Sequence, residues 1–344
     1  MERKTIYVTR QGAKLQRMDG QLGVTIDKAV IDRFSPSEIE QVLLFGNVQV
    51  STQAIALLFR QGVRVSFFST SGTYRGQLVS PESGNVFVRL AQHARYLDPA
   101  FRLRLSRDLI CRKLVASRAV VSRFARNHPN SAQAMDACGR LLGSAFDSLD
   151  AVSDCDALRG IEGSAAARYF EAFDLMVQPP FRFERRSKHP AHNAVNALLN
   201  LGYTLLTGEI AGKLEHAGFD PRVGFYHGVR CGRSSLALDV IEPHRADVID
   251  RLTLSILNRR MFTVDDFEDK REAGIRLEPN ALRRYLGLYE QAMGNTLAEG
   301  LAPRALIEQS VQALRRAVMA GNASMGTADA DVGMSGRRDT EVGL

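Results

Sequence analysis

Short runs of apolar and β-branched residues dominate the first 80 positions of the chain and predict β-strands. TIYVT and LGVTI are of this kind, and QVLLFGNVQV is a strand-like run interrupted by Gly46-Asn47. Ser51 is placed to cap a short helix, TQAIALLFRQG, which Gly62 closes. VRVSFFSTSGTYRGQLV then predicts two strands around a Ser-Gly turn. We therefore predict a small, sandwich-like, β-rich domain over 1–80.

Beyond residue 80 the apolar positions recur at the spacing of helices. SPESGN has the composition of a linker, which we place at 81–86. Helical segments are predicted at 87–127, 131–148, 161–176, 193–217, 234–259, 279–299 and 303–319. The predicted fold class is α+β, with the β-rich domain followed by a larger all-α helical domain over 87–320. The Gly-rich segment 321–344 is predicted to be disordered.

The composition is that of a globular protein with a substantial core and a basic balance of charge. Of 344 residues, 45% are hydrophobic and 24% are charged, and the formal net charge is +7. This charge is compatible with a polyanionic partner but does not identify one. No apolar run resembles a signal core or a membrane span, so we expect a cytoplasmic protein without membrane association. Cys111, Cys138, Cys155 and Cys231 show no paired spacing, which argues against a disulfide framework or a structural zinc site.

Glu162 stands at an unexpected place in the stretch GIEGSAAARYFEAF. At helical spacing, Ala165, Ala166 and three aromatic residues form one apolar stripe, and Glu162 lies at its start. An ionised carboxylate on a closed apolar face is costly unless it is paired or binds a metal, and the alanines leave open space beside it. Alternatively, Glu162 only caps the start of the helix, where the macrodipole favours a carboxylate. The stretch by itself leaves both interpretations open.

A second candidate cluster lies in GFYHGVRCGRSSLALDVIEPHRADVIDRL. His227 precedes a glycine in a loop, and Asp239 and Glu242 are three residues apart on the following helix, so both project from one face. Pro243 is expected to break or kink this helix just past Glu242. A lone histidine is usually structural and an acidic pair is usually a solvated face, but the combination is a stronger candidate. With Glu162, it forms a set that suits Mn²⁺ or Mg²⁺ and phosphodiester chemistry.

Positive charge is concentrated in two segments. Residues 101–126 carry seven Arg and one Lys against one Asp, and residues 181–206 begin with a further basic run. A solvated helix face is one interpretation of either segment. Their combination with candidate ligands for a hard metal favours a phosphate backbone, without any sign of base readout. The candidate DNA-binding residues are Arg102, Arg104, Arg107, Arg112, Lys113, Arg182, Arg185, Arg186 and Lys188.

Four motifs, in order, resemble the CRISPR-associated integrases, the metal-dependent DNA endonuclease subunits that insert new spacers into CRISPR arrays. The motifs are LLFGNVQVSTQAIALLFRQGVRVSFFSTSG, LRGIEGSAAARYFEAF, NAVNALLNLGYTLL and YHGVRCGRSSLALDVIEPHRADVIDRL. The resemblance covers nearly the whole chain except the tail after Ala320. It implies an N-terminal β-rich domain joined to a C-terminal helical one.

The resemblance also implies a site, its cofactor and its partners. The implied catalytic residues and Mg²⁺ or Mn²⁺ ligands are Glu162, His227 and Glu242. Asp239 matches an acidic position beside them, and Tyr169 and Asn196 are supporting residues in nearby motifs. The implied partners are double-stranded DNA (incoming spacer and CRISPR array), a second copy of the chain and a small adaptation subunit. We expect the homodimer to form through the N-terminal domain, with QVLLFGNV and VRVSFF as the main source of its surface, although part of each run must fill the domain's own core.

The chain departs from the family in one loop. The family often has an Arg-Pro-Pro run and an Asp-Pro before the asparagine at 196, whereas this chain has RRSKHPAHNAVN, with Asn193 and Ala194. The predicted reaction is a transesterification, in which the 3′-hydroxyl of incoming DNA attacks a phosphodiester of the array. Two alternatives stay open. One is a basic architectural DNA-binding protein with a non-catalytic acidic cluster, and the other is a repair nuclease acting on branched DNA.

Overall fold

A computed structural model describes residues 3–78, 80, 85–188, 190–296 and 300–321. The strands are β1 Lys4–Val8, β2 Lys14–Met18, β3 Gln21–Ile26, β4 Ala29–Phe34, β5 Ile39–Phe45, β6 Gln49–Val50, β7 Arg64–Phe68, β8 Tyr74–Leu78, β9 Phe267–Asp269 and β10 Ile275–Leu277. The α-helices are α1 Thr52–Arg60, α2 Val86–Tyr96, α3 Pro99–Asn127, α4 Ala132–Asp147, α5 Cys155–Met176, α6 Ala194–His216, α7 Ser235–His244, α8 Arg251–Asn258, α9 Pro279–Gly294 and α10 Pro303–Ala320. Most of the predicted linker and of the predicted disordered tail lies outside the described residues.

The N-terminal part folds as two four-stranded sheets around an apolar core. One sheet has the order β1-β5-β7-β8 and the other has the order β4-β3-β2-β6. Strand β5 is parallel to β1 and β7, whereas β3 is antiparallel to β2 and β4. Leu15 of one sheet and Val42 of the other belong to the same buried cluster. Ser51 caps α1 as predicted, since its Oγ accepts a hydrogen bond from the Ala54 N–H at 3.2 Å. The predicted sandwich-like domain is confirmed.

Strand β5 is buried on both faces because one face packs in the core of the β-rich part and the other packs against the helical part. Val42 and Leu44 pack in the core of the β-rich part, whereas Leu43 and Phe45 pack in the core of the helical part. Phe68 of β7 joins the helical core in the same way. QVLLFGNV and VRVSFF therefore fill the interior of the molecule. The prediction that these runs supply the dimer surface is wrong.

The second part of the chain is mainly helical, as predicted. Helices α4, α6 and α10 begin and end within one residue of the predicted bounds. The single segment predicted over 87–127 is two helices, because Asp98 caps α3 and Pro99 begins it. A short antiparallel pair, β9–β10, corrects the expectation of an all-α domain. None of the helices in the described residues combines the length and the apolarity that crossing a bilayer requires.

Two helices that carry candidate site residues differ from the prediction. Helix α5 begins at Cys155, after the N-cap Asp154, so Glu162 lies about two turns inside the helix. This position rules out the interpretation of Glu162 as a capping residue. The regular α-helix ends at His244, one residue after Pro243, and the chain continues through a π-helical segment, Arg245–Asp250, into α8. The helix is therefore interrupted past Glu242, but its path is not broken. Such π-helical segments are often found at functional sites.

Ionic contacts also join the β-rich part to the helices. Arg64 of β7 lies 2.9 Å from Glu40 of β5 and donates to the backbone carbonyl of Glu209 in α6 at 3.2 Å. Lys213 of α6 lies 3.2 Å from Glu40. The Tyr7 hydroxyl donates to a carboxylate of α9 at 2.8 Å. The boundary predicted near residues 81–86 therefore divides a β-rich part from a helical part, and these two parts pack against each other.

Candidate active site

Glu162, His227 and Glu242 come from separate segments and lie in one cluster around Lys113. The Lys113 ammonium contacts Glu162 Oε1 and lies 2.6 Å from Glu242 Oε2. His227 Nε2 is 3.8 Å from Glu242 Oε1. The Glu242 side chain is 4% exposed and the Glu162 side chain is 20% exposed. The fold thus brings together the three side chains that the sequence singled out.

Lys113 belongs to this cluster, which corrects its prediction as a residue of an exposed DNA-binding face. Its side chain is only 16% exposed, and its charge compensates those of the two carboxylates. In the described part of the chain, no group of three or more His, Cys, Asp and Glu side chains is positioned to hold a metal ion. The ammonium between Glu162 and Glu242 is consistent with this finding, because it takes the space that a shared cation would need.

Asp239 orients His227 from the side opposite to Glu242. Asp239 Oδ1 accepts the His227 N–H at 2.8 Å and lies 2.8 Å from His227 Nδ1. Its Oδ2 accepts the N–H groups of Phe225 and Tyr226 at 2.6 and 3.0 Å. A neutral His227 that donates through Nδ1 keeps its lone pair on Nε2. Metal-binding histidines are commonly oriented by a carboxylate in this way.

Glu242 is ionised in spite of its burial. Burial raises the pKa of Glu242, but the charges of Arg245 and Lys113 outweigh this effect and lower the pKa to about 2. Arg245 Nη2 lies 3.1 Å from Glu242 Oε1. Because a carboxylate must be deprotonated to bind a metal ion, Glu242 is in the form that such binding needs.

Arg186, Lys188 and Arg245 add positive charge beside the carboxylates. The guanidinium groups of Arg186 and Arg245 lie 5.3 and 4.9 Å from the centre of the Tyr203 ring. Partial removal of the Lys188 ammonium from water and the like charges of Arg245 and Arg186 lower the pKa of Lys188, which Glu242 partly opposes. Cations that repel one another at a surface attract an anion, because the anion relieves their repulsion.

Tyr169 and Asn196 support this basic region without touching the carboxylates of Glu162 and Glu242. The Tyr169 hydroxyl donates to Asp250 Oδ2 at 2.8 Å, and the Tyr203 hydroxyl donates to the other oxygen of Asp250. Asn196 is fully buried, and its Oδ1 accepts a hydrogen bond from Arg186 at 2.9 Å. Tyr169 thus shares Asp250 with Tyr203, on whose ring both guanidinium groups stack, and Asn196 holds Arg186 directly.

The loop that departs from the family keeps a defined conformation. Asn193 caps α6, since its Oδ1 accepts the Asn196 N–H at 2.9 Å. Asn193 also donates to the backbone carbonyl of Phe183 at 2.7 Å. Asn and Asp are equally good N-cap residues, so replacing Asp by Asn preserves the start of this helix.

Apart from Lys113 and Arg186, whose contacts are described above, the predicted DNA-binding residues fall into two groups. Arg102, Arg107 and Arg112 have partners within the protein, namely two backbone carbonyls and Asp108, at 3.3, 2.7 and 3.2 Å. The exposed members are Arg104, Arg182, Arg185 and Lys188. Much of the positive charge of α3 is therefore engaged inside the molecule, which corrects the expectation of a continuous DNA-binding face on this helix.

Sequence reasoning missed two contacts of the cluster. Arg245 pairs with Glu242 from three residues further along the helix, a spacing that places both side chains on one face. The Tyr226 hydroxyl donates to Glu162 Oε2 at 3.4 Å. The available signals were the Arg three residues after Glu242 and the aromatic residue directly before His227.

The chain matches known sequences over most of its length. The family model described as CRISPR associated protein Cas1 matches residues 6–291. The chain is 32% identical over 292 residues to the CRISPR-associated endonuclease Cas1 1 of Chlorobaculum tepidum, covering 83% of this chain and 85% of the relative. It is also 32% identical over 308 residues to the CRISPR-associated endonuclease Cas1 3 of Thermus thermophilus, covering 89% and 90%.

The fold is similar to those of solved structures. One is a Cas1 protein of Thermotoga maritima, with a TM-score of 0.78 and 24% identity, covering 92% of this chain and 97% of the other. A second is a casposase bound to an integration product, with a TM-score of 0.80 and 21% identity, covering 93% and 91%. With the extended family match and the 32% identity to curated relatives, the chain belongs to the Cas1 family of CRISPR-associated proteins.

Proposed function

We propose that this chain is a divalent-metal-dependent DNA endonuclease and integrase that joins the 3′-hydroxyl ends of incoming spacer DNA to the CRISPR array. The observation that carries the proposal is the convergence of Glu162, His227 and Glu242 beside the cations Arg186 and Lys188. Relatives that are 32% identical are named CRISPR-associated endonucleases. The cluster offers what phosphodiester chemistry needs, namely acidic and imidazole ligands next to positive charge.

The donor set of the cluster suits a hard divalent cation once Lys113 has moved. Glu162 and Glu242 provide oxygen ligands, and the orientation of His227 by Asp239 leaves Nε2 available. These three residues would hold Mg²⁺ or Mn²⁺. When bound, such an ion polarises the phosphodiester and stabilises the negative charge that develops during transfer.

The proposed reaction is a transesterification at phosphorus. The incoming 3′-oxygen forms a new P–O bond while the bond from phosphorus to the 3′-oxygen of the target strand breaks. The attacking hydroxyl loses its proton, and the departing oxygen gains one. Arg186, Lys188 and Arg245 offset the charge of the phosphate. His227 has one free ring nitrogen, because Asp239 engages the other, so at any moment it either holds an ion or moves a proton.

The proposed partners are double-stranded DNA, a second copy of this chain and a small adaptation subunit. A solved complex titled Cas6-RT-Cas1–Cas2 contains a fold similar to 94% of this chain, with a TM-score of 0.80 and 23% identity, and the match spans 36% of that longer chain. We propose that this chain likewise works in an assembly with a small subunit. The division into a dimerising domain over 1–80 and a catalytic domain over 87–320 is part of this proposal, and a cytoplasmic location stays a prediction.

A strand-transfer assay with a labelled DNA duplex and Mn²⁺ or Mg²⁺ tests the proposed site. Glu162→Gln, His227→Ala and Glu242→Gln should each abolish joined and nicked products while the protein still folds. Glu171→Gln is the matched control, because Glu171 lies on the same helix as Glu162 and is exposed. The control should react like the wild type. Near wild-type activity in two of the three site variants would contradict the assignment.

The same assay separates the alternatives. A purely architectural protein would retard DNA in a gel but would neither nick it nor join it in the presence of either ion. A repair nuclease would cleave forks or junctions in preference to joining free 3′-ends to a CRISPR repeat. Joining at the repeat boundary, lost in the site variants, is the result expected of the proposed function.

A further inference from the structure

We propose that Lys113 is a tethered counter-ion, which lies between Glu162 and Glu242 in the metal-free protein and must leave before a divalent ion binds. The inference rests on the proposed function, because it takes the two glutamates as metal ligands. Lys113 then has two effects: it lowers the affinity of the site for metal, and it stabilises the site when no metal is bound. The Lys113 ammonium contacts Glu162 Oε1 and lies 2.6 Å from Glu242 Oε2.

The ammonium of Lys113 is the one cation that pairs with both glutamates among the described residues. Glu242 is 4% exposed and Glu162 is 20% exposed, so water screens their mutual repulsion poorly. Buried carboxylates are stable when they are paired or bind a metal. Lys113 provides this pairing for both carboxylates at once. Without it, Glu242 would keep Arg245, which lies 3.1 Å away, but Glu162 would keep the hydrogen bond from the Tyr226 hydroxyl and lose its ion pair.

A divalent ion and the ammonium cannot share this position, because both are cations and both need the same carboxylate oxygens. Metal binding is therefore an exchange of one cation for another. A lysine suits such an exchange, since its compact charge sits on a flexible stem of four carbons. A small cavity of about 30 Å³ beside Lys113 is lined in part by Ala165 and Ala166, whose short side chains do not fill the space next to the ammonium.

Mn²⁺ titration, followed by electron paramagnetic resonance, measures the proposed effect directly. Lys113→Met keeps the apolar stem and removes the charge, so Mn²⁺ should bind at least about tenfold more tightly than to the wild type. Arg104→Met removes the same charge from an exposed position of the same helix. This control should change Mn²⁺ affinity far less. Equal affinities of Lys113→Met and the wild type would overturn the inference.

Acetylation of the wild-type protein provides a second measurement that does not depend on the folding of a variant. Lys113 should be protected from an acetylating ester in EDTA and should become reactive when Mn²⁺ is added, as read by peptide mass spectrometry. Lys28, which is exposed on the turn before β4, should react equally in both conditions. Protection of Lys113 that persists with Mn²⁺ bound would overturn the exchange.

The two measurements distinguish this inference from the proposed function. If Mn²⁺ binds to the wild type and is lost in Glu242→Gln, while Lys113→Met changes nothing, only the role of Lys113 fails. If neither the wild type nor Lys113→Met binds Mn²⁺, the proposed metal site and the inference fail together. Tighter binding to Lys113→Met, with metal-dependent acetylation of Lys113 in the wild type, supports both.

Discussion

At the scale of single residues, Asp239 shows how one buried carboxylate shapes the site. Its oxygens accept three consecutive backbone N–H groups and contact one ring nitrogen, so their capacity of about four hydrogen bonds is used. Gly224 allows this approach, because a Cβ there would lie 2.9 Å from Asp239 Oδ2 and 2.7 Å from the backbone carbon of Ser235. Asp239 thereby fixes both the path of the loop and the ring orientation of His227.

Asp239→Asn should slow strand transfer by about 10- to 100-fold, which is less than the loss expected for the proposed ligands. The amide replaces an accepting oxygen with a donor that faces N–H groups, so the free energy of unfolding should also fall by about 1–3 kcal/mol. Rates and urea unfolding curves measure the two effects. Asp136→Asn, at an exposed position of α4, is the matched control. A variant with unchanged rate and stability would contradict this role.

At the scale of elements, the apolar pattern predicts the bounds of helices that have one clear apolar face. It does not predict a helix end whose position depends on a capping residue. Helices α4, α6 and α10 lie where the apolar period predicts them. The apolar period places the start of α5 at residue 161, six residues too late, because the first turns of this helix add little to the apolar stripe. Asp154 was the missed signal, since its side chain accepts the N–H groups of Asp156 and Ala157. Strands β9 and β10 have three residues each, too few to show a period.

The candidate site was predictable in residue type but not in all its contacts. Two acidic residues and one histidine indicated a hard-metal site, and their motifs indicated a family. Lys113 lies 49 residues before Glu162, within a basic helix that resembles a DNA-facing one. Only the packing of α3 against α5 and α7 turns this side chain inward. Such a partner follows from the tertiary structure and not from local pattern.

The loop before α6 is the element that we now expect to contact phosphate. Lys188 is exposed, and the like charges beside it come from Arg186 and Arg245. Lys188→Ala should weaken duplex binding and reduce the slope of log K against log salt by about 0.9, the value for one lost phosphate contact. Arg316→Ala removes one exposed positive charge from α10 and should leave the slope unchanged. DNA titrations at several salt concentrations measure this slope. Equal slopes for the two variants would contradict a phosphate contact by Lys188.

At the scale of the whole molecule, a buried ionic network ties the two parts of the chain together. Arg304 of α10 lies 2.8 Å from Glu209 of α6 and 2.9 Å from Glu290 of α9, and Tyr7 of β1 donates to Glu290. The Glu209 side chain is 3% exposed. Because all these groups meet where the β-rich part packs on the helices, we expect the two parts to unfold cooperatively.

Arg304→Met should lower the free energy of unfolding by about 3 kcal/mol, because it leaves the buried carboxylate of Glu209 without its cation. Arg168→Met is the matched control, since Arg168 pairs with Glu171 and the two side chains are 54% and 63% exposed. Removing such a surface pair should change the free energy of unfolding far less. Urea unfolding of both variants, followed by circular dichroism, measures the difference. Similar losses for the two variants would contradict a structural role of the network.

The proposed dimer needs a surface other than the one predicted from QVLLFGNV and VRVSFF, and edge strand β4 offers it. Among the residues that the structure describes, β4 pairs only with β3, and its apolar residues Val30 and Ile31 are 43% and 46% exposed. An exposed strand edge with adjacent apolar side chains can pair with another edge. Two copies of one edge are complementary about a two-fold axis, which is the commonest symmetry of homodimers.

The double variant Val30→Lys/Ile31→Lys should therefore be monomeric by light scattering at concentrations where the wild type is dimeric. Two lysines bring like charges against each other across the axis and remove apolar area from the contact. Leu141→Lys is the matched control, because Leu141 is 51% exposed on α4, away from the β-rich part. The monomeric variant should still nick DNA, since it retains the site residues, but it should fail to join both ends of a spacer, which needs two sites on one duplex. A folded double variant that stays dimeric would place the dimer contact on another surface.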